Sequence, residues 1–310
     1  MSGAPQVLLI APSRIGDMVL FSGAIDGVRR LVPGAETTVA CSALNAPLFR
    51  GFSEVVQVWP MRTDSRRGRW LDLWKRARGV HWDLVVDLRG SAFAHFIRAR
   101  RRLIHDPRKT AGLHRVEAVS AVLQASEPLH PRLPTDARAR RDAASVLEDA
   151  EPFLVLAPVA NSADKTWAAD NWTALTARLL ARPEFREWRV AVIAAPTERE
   201  AAEPVLRAVG DRGVDVIGRL DLLAATALLE RASLFIGNDS GLGHMAAAAG
   251  APTLVLFGPT DAALYRPWGE RTAIVGGERG REPIEAVTVD QVEAATLALL
   301  QRTEGTWSAS

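Results

Sequence analysis

Between Ser233 and Asp261 the chain reads SLFIGNDSGLGHMAAAAGAPTLVLFGPTD. Two short apolar runs, Leu234–Gly237 and Thr253–Phe257, flank a stretch of small residues, and neither run alternates with polar positions. Strands of that kind sit inside parallel sheets, covered on both faces. Parallel neighbours need a crossover, and the segment through Ala249 can supply it as a short helix. Gly250 and Pro252 then stop the helix, glycine just past its end and proline beyond. A β-α-β unit this tight commits the chain to an α/β architecture.

The turn at Asp239, Ser240 and Gly241 opens that helix at the carboxyl end of a buried strand. There the first N–H groups lack partners and the helix dipole is positive, so phosphate binds readily. His244, on the first turn, can face the same anion. An ordinary β-to-α turn, with Asp239 or Ser240 as the cap, accounts for the same residues. A rival reading takes Gly241-Leu-Gly243-His-Met-Ala246 as G-x-G-x-x-A, with Asp261 as the distant acid of a nicotinamide-dependent oxidoreductase. Two features oppose it. Asp239 sets a carboxylate where a pyrophosphate must approach, and Gly258-Pro259-Thr260 parts Asp261 from its strand.

The alternation of apolar runs and helical segments continues along the chain. Val7–Ala11, Thr37–Cys41, Val55–Trp59, Leu84–Asp87 and Leu103–His105 read as strands of a first half, and Phe153–Ala157, Val190–Ala194 and Val214–Ile217 as strands of a second. A helix is expected from Met18 to about Arg30, others near Ser91–Ala99, Val116–Leu123 and Ala137–Glu148, and a last one at Val289–Arg302. Pro128–Pro134 (PLHPRLP) has the composition of a linker, and the domain boundary is expected near residue 150. Each half begins with a strand followed by a loop of unusual content: Arg14-Ile-Gly-Asp17 in the first, Asn161–Trp167 (NSADKTW) in the second. In such sheets ligands bind beyond the carboxyl ends of the strands.

Charge is uneven. Residues 60–110 hold 14 Lys/Arg against 5 Asp/Glu, a net of +9, so the remainder carries −7 against an overall +2. An acidic partner or an anionic membrane face is expected near the N-terminal half, with a merely solvated Arg-rich face as the alternative. Trp70, Trp74 and Trp82 lie beside the basic run but read as core rather than as a stacking platform, so no nucleic acid is expected. The lone Cys41 suits a reducing compartment, no apolar stretch reaches the length of a membrane span, and Val7–Ala11 is too short for a signal. A cytoplasmic protein is expected. No Asp-x-Asp occurs and the six histidines show no ligand spacing, so neither a metal nor another cofactor is expected.

Asp239-Ser-Gly-Leu-Gly-His-Met-Ala-Ala-Ala248, followed by Gly250-Ala-Pro-Thr-Leu-Val-Leu-Phe-Gly-Pro-Thr-Asp261, resembles the donor-binding signature of glycosyltransferase family nine. That family contains the heptosyltransferases of lipopolysaccharide core assembly. Ser13-Arg-Ile-Gly-Asp-Met-Val-Leu20 is similar to the family's N-terminal motif, whose Asp is the general base, and this implies that role for Asp17. Read from the residues alone, Asp17 can equally be an N-cap. Arg14 would orient either Asp17 or an acidic acceptor. The family has a Lys followed by an aromatic residue and Pro where this chain has Lys165-Thr-Trp167-Ala168, which implies that Lys165 supplies a positive charge for the departing diphosphate, though the Pro is missing. Glu198, with Glu200 as an alternative, resembles the ribose-contacting Glu.

The resemblance implies a GT-B fold: two doubly wound parallel-sheet, Rossmann-like α/β domains facing a central cleft. Residues 1–150 would bind the acceptor and 151–310 the nucleotide sugar, with the last helix, 289–302, able to pack back on the first domain. It further implies inverting transfer of a sugar, a heptose from ADP-heptose, to an anionic glycolipid, with peripheral contact at the cytoplasmic face of the inner membrane. The donor site would comprise Asp239, Ser240, Gly241, Leu242, Gly243, His244 and Glu198, and the acceptor site Arg14, Arg66, Arg67 and Arg69. A non-catalytic sugar-nucleotide-binding relative is the further alternative, disfavoured by the retention of Asp17 and Lys165.

Overall fold

The computed structural model describes residues 3–61, 66–147, 152–277, 280 and 282–307. The chain divides into two units, Met1–Pro134 and Thr135–Ser310.

The first unit is a five-stranded sheet of β1 (Gln6–Ile10), β2 (Glu36–Ser42), β3 (Val55–Met61), β4 (Trp82–Asp87) and β5 (Ala99–Ile104), with helices α1 (Ile15–Leu20), α2 (Ala24–Leu31), α3 (Arg66–Ala77) and α4 (Arg115–Val122). All pairings are parallel, in the order β3-β2-β1-β4-β5. The central strand β1 has no exposed residue after Gln6, which is why its sequence is a continuous apolar run. Leu8 and Ile10 pack with Leu73 and Ala77 of α3 and with Phe93, Ala94 and Ile97. Strand order reverses beside β1, between β1 and β4, so the loops after these two strands border the crevice where ligands of doubly wound sheets bind.

The second unit carries α5 (Ala137–Val146), β6 (Phe153–Ala157), α6 (Ala169–Leu180), β7 (Arg189–Val192), α7 (Arg199–Val209), β8 (Gly213–Asp215), α8 (Leu222–Glu230), β9 (Leu234–Asn238), α9 (Gly241–Ala248), β10 (Thr253–Leu256), α10 (Ala262–Tyr265), β11 (Thr272–Val275) and α11 (Val289–Trp307). Its six parallel strands run β11-β10-β9-β6-β7-β8. The first strand of the unit lies in the middle and order reverses between β6 and β9. Leu154 and Leu156 of β6 share a core with Trp172, Leu175 and Leu179 of α6 and Val292 and Leu299 of α11. No described helix is long and apolar enough to cross a membrane.

Several sequence expectations need correction. The division falls after Pro134 rather than near 150, because α8 is apolar on all sides and α5 supplies one of its covers. Residues 148–151 lie outside the described residues. Pro128–Pro134 is no slack linker. Arg132 pairs with Asp26 at 2.7 Å and Glu54 at 2.8 Å, and Ser22 Oγ accepts from its backbone N–H. A Cβ on Gly23 would meet the Leu129 carbonyl at 2.3 Å, so only glycine lets the Pro-rich segment lie against α2. Residues 92–96 form a 3-10 turn instead of a helix reaching Ala99. The first helix is broken in two and starts at Ile15, three residues before the expected Met18. The last helix packs against α6, β10 and β11 of its own unit.

Candidate functional site

In the second unit, β6 and β9 are adjacent, with Ala157 opposite Gly237, and the loops leaving them meet. Asn238, the fully buried last residue of β9, sews them together. Its Nδ2 donates to the Pro158 carbonyl at 2.7 Å, and its Oδ1 accepts from the Trp167 N–H at 3.2 Å. The Trp167 indole is buried edge-on against Trp172 and donates to the Val287 carbonyl at 2.8 Å. Thr166 closes the loop on itself by donating to the Ser162 carbonyl. A loop anchored at both ends holds Lys165 in one place.

That place is beside Asp239. The ammonium donates to Asp239 Oδ2 at 2.7 Å, with the carboxylate 6% and the Lys side chain 27% exposed. His244, buried one turn into α9, puts Nε2 4.0 Å from Asp239 Oδ1. Ser240 is the N-cap residue by backbone geometry, yet its side chain makes no cap bond. Its hydroxyl oxygen is enclosed and has no hydrogen-bond partner among the described residues. An unpaired buried hydroxyl costs free energy unless a ligand supplies the partner. Helix N-terminus, cation and waiting hydroxyl together suit an anionic ligand group. Gly241 and Leu242 are half-buried in the first turn. Gly243 has a packing role: a Cβ there would stand 2.7 Å from Val255 Cγ2 of β10.

Glu198 ends a 3-10 turn after β7, half-buried, and its Oε2 accepts from the Ala195 N–H at 2.8 Å. Glu200 is exposed. Asp261 caps α10 by accepting from the Ala263 N–H, a local structural duty.

In the first unit the loop after β1 leads into α1, and its N-cap is Arg14, not Asp17. Asp17 lies in the first turn, half-buried, where the helix dipole favours a carboxylate. Arg14 is exposed. A neighbour of Asp17 that sequence reasoning did not single out is His105. It follows β5 directly, is buried, shares a 2.9 Å hydrogen bond with the Thr110 hydroxyl, and meets Phe21 edge-on. Burial pulls its pKa below the usual histidine value and Arg115 adds to that, while Asp106 and Asp17 pull it upward. Asp87, fully buried at the end of β4, accepts hydrogen bonds from the Ser91 hydroxyl and from the Arg89 and Ser91 N–H groups, so its carboxylate serves its own loop. Arg66 and Arg67 open α3, but their side chains lie outside the described residues. Arg69 is half-buried on the same helix; burial lowers the pKa of Arg89 and the Arg69 charge adds to that. Among the described residues no group of three His, Cys, Asp or Glu side chains could hold a metal ion.

The model of glycosyltransferase family 9 (heptosyltransferase) matches residues 86–291. The chain belongs to that family. Lipopolysaccharide heptosyltransferase 1 of Pseudomonas aeruginosa is 26% identical over 304 residues, spanning 88% of this chain and 84% of the relative. Two solved structures share the fold. The ADP-heptose lipopolysaccharide heptosyltransferase II of Escherichia coli superposes with a TM-score of 0.77 at 20% identity, covering 96% of this chain and 99% of that one. A family 9 glycosyltransferase of Veillonella parvula gives 0.83 at 17% identity, covering 97% and 99%. This family 9 chain is therefore a glycosyltransferase with two parallel-sheet α/β domains of GT-B type. The oxidoreductase alternative is not supported. Asp239, the residue before the N-cap, holds its carboxylate against Lys165 at the mouth of α9.

Proposed function

We propose that this glycosyltransferase moves a heptose from ADP-heptose to an anionic glycolipid acceptor of lipopolysaccharide core assembly, with inversion at the anomeric carbon. Its carrying observation is the anion-receptive end of α9, with Lys165 fixed beside it. Donor and acceptor follow from the names of the relatives. In this reading the acceptor hydroxyl passes its proton to Asp17 as its oxygen bonds to the anomeric carbon. The bond from that carbon to the diphosphate oxygen breaks, and ADP departs with the electron pair. Lys165 and the first N–H groups of α9 stabilise the charge that develops on ADP, and Ser240 and His244 line the same pocket. Glu198 meets the ribose, while Arg14, Arg66, Arg67 and Arg69 meet the acceptor's anionic groups. The domain division is 1–134 for the acceptor and 135–310 for the donor. The enzyme works at the cytoplasmic face of the inner membrane, in peripheral contact with it.

The test is a thermal-shift panel of ADP-heptose, ADP-glucose, UDP-sugars and NADH, followed by measurement of ADP release with a heptose-acceptor glycolipid. A ligand at 100 times its Kd stabilises by about 2.7 kcal/mol, well within reach of the method. ADP-sugars should raise the midpoint, and ADP release should depend on the acceptor. Stabilisation by NADH or UDP-sugars alone would overturn the proposal. Gly241→Val should abolish the nucleotide effect while the fold survives.

A further inference from the structure

Along α3 the residues fall into two sets. Trp70, Leu73 and Ala77 turn inward, where Leu73 and Ala77 are buried and Trp70 stacks on Phe93 with ring centroids 5.4 Å apart. Leu71, Trp74, Lys75 and Arg78 follow the i, i+3, i+4, i+7 spacing of one helix face. Of these Leu71, Lys75 and Arg78 are exposed, Leu71 by 52%. Trp74 ties this face to the neighbouring turn by donating from Nε1 to the Phe96 carbonyl at 3.2 Å. The turn is held from its other side by Arg102, whose guanidinium donates to the carbonyls of Ala94, Ile97 and Ala99 at 2.8, 2.7 and 3.0 Å.

A turn pinned this firmly could have tucked its apolar side chains under the sheet, as it does with Phe93 and Ile97. Instead the Phe96 ring stands 70% exposed, followed by the exposed Arg98 and Arg100 at the free edge of the sheet. Arg78 lies over the Trp74 ring, 5.0 Å from its centroid, keeping a charged head outward on an aromatic base. Arg76 is engaged with Asp72 at 2.8 Å. Fixed apolar side chains beside cations that, among the described residues, pair with no carboxylate are what an element lying in a lipid interface carries. The indole faces of Trp70 and Trp74 are covered by Phe93 and Arg78, which removes the stacking platform that a single-stranded nucleic acid would need.

We infer that the edge formed by α3, the 92–96 turn and the start of β5 docks on an anionic lipid bilayer. Phe96 and Leu71 enter the interface, and Lys75, Arg78, Arg98 and Arg100 meet lipid phosphates. The inference deepens the peripheral membrane contact proposed above by assigning it a surface, and it needs none of the donor-site residues. The full chain is floated with vesicles of phosphatidylcholine containing phosphatidylglycerol, with pure phosphatidylcholine as control. Wild type should bind only the anionic vesicles, and less at high salt. Each cation near such a surface contributes about fivefold in partitioning, so K75E/R78E/R98E should weaken binding by at least roughly 100-fold. Phe96→Ala, at an exposed position, should weaken it by roughly tenfold and leave the salt dependence intact. Both variants should keep the wild-type thermal shift with ADP-sugar, which shows that they are folded. Wild-type protein that ignores anionic vesicles overturns both the docking face and the membrane contact, whatever the donor assay gives. Binding that survives both variants leaves the contact but removes this face. A wild-type dimer made monomeric by Phe96→Ala, without loss of vesicle binding, would reassign the face to self-association.

Discussion

The Lys165 ammonium and the Asp239 carboxylate stand 2.7 Å apart although 74 residues separate them in the chain. The two loops that carry them leave adjacent parallel strands at the point where strand order reverses, so the pairing follows from topology. Their burial is unequal, and this sets how the pair responds to mutation. Asp239 loses its cation in an almost closed pocket when Lys165 is removed, whereas Lys165 can turn to solvent when Asp239 is removed.

Lys165→Ala should therefore destabilise the protein more than Asp239→Asn. A fully buried pair broken on one side costs about 3–5 kcal/mol. The partial exposure of Lys165 discounts this to roughly 1–2 kcal/mol. In urea unfolding, Lys165→Ala/Asp239→Asn should recover part of the Lys165→Ala loss. Strict additivity of the two single changes would show that the pair is not an energetic unit.

Gly243 supplies a second test, of packing. An added Cβ would stand 2.7 Å from Val255 Cγ2 on a strand that is buried throughout. Overpacking of this kind costs about 1–3 kcal/mol, and the better helix propensity of Ala returns at most about 1. Gly243→Ala should lower stability, and Val255→Ala added to it should restore much of the loss by clearing the methyl. If Gly243→Ala proved as stable as wild type, the helix would not lie as close to β10 as described.

How far the sequence could be read follows the same physics. Strands buried on both faces write themselves as apolar runs, and β1, β6, β9 and β10 stand where such runs predicted them. Strand β11 is half-buried along its length, and no such run announces it. The boundary was misplaced because α5 follows the Pro-rich segment directly in sequence, while the helix it covers, α8, is distant in the chain. The anchors that keep Pro128–Pro134 from being slack, Arg132 on Asp26 and Glu54, are equally distant. At the site, motif spacing put Asp239, Ser240 and His244 on one turn. That Lys165 reaches Asp239 is a cross-strand fact invisible to spacing. His105 reads as the end of the strand Leu103–His105 with no role of its own, and only the fold brings it within electrostatic reach of Asp17.

His105 makes stability depend on pH with a definite sign. Its folded pKa lies below the unfolded value of about 6.5, chiefly through burial. As pH falls through 6.5 the unfolded chain takes up the proton first, so stability present at pH 7 and above is lost on acidification. The thermal midpoint of wild type should drop between pH 7.5 and 5.5 by more than that of His105→Gln. Equal slopes in the two proteins would remove His105 as the source.

The last test asks whether Asp17 is the general base. It sits in the first turn of α1, and the N-cap position itself belongs to Arg14. Asp17→Asn preserves volume and gives up a favourable charge at a helix start, worth about 0.3–1 kcal/mol, together with the charge that reaches His105. A general base acts on the proton moved in the transition state, so its loss should reduce turnover by roughly 100-fold or more while leaving ground-state affinity nearly unchanged. ADP release is measured at saturating donor and acceptor, beside donor binding by thermal shift. Wild-type donor binding combined with collapsed kcat would identify Asp17 as the base. Near-normal turnover in a stable Asp17→Asn protein would leave it as a dipole partner of α1 and move the search for the base to the groups around it, with His105, already within its electrostatic reach, as the first to examine.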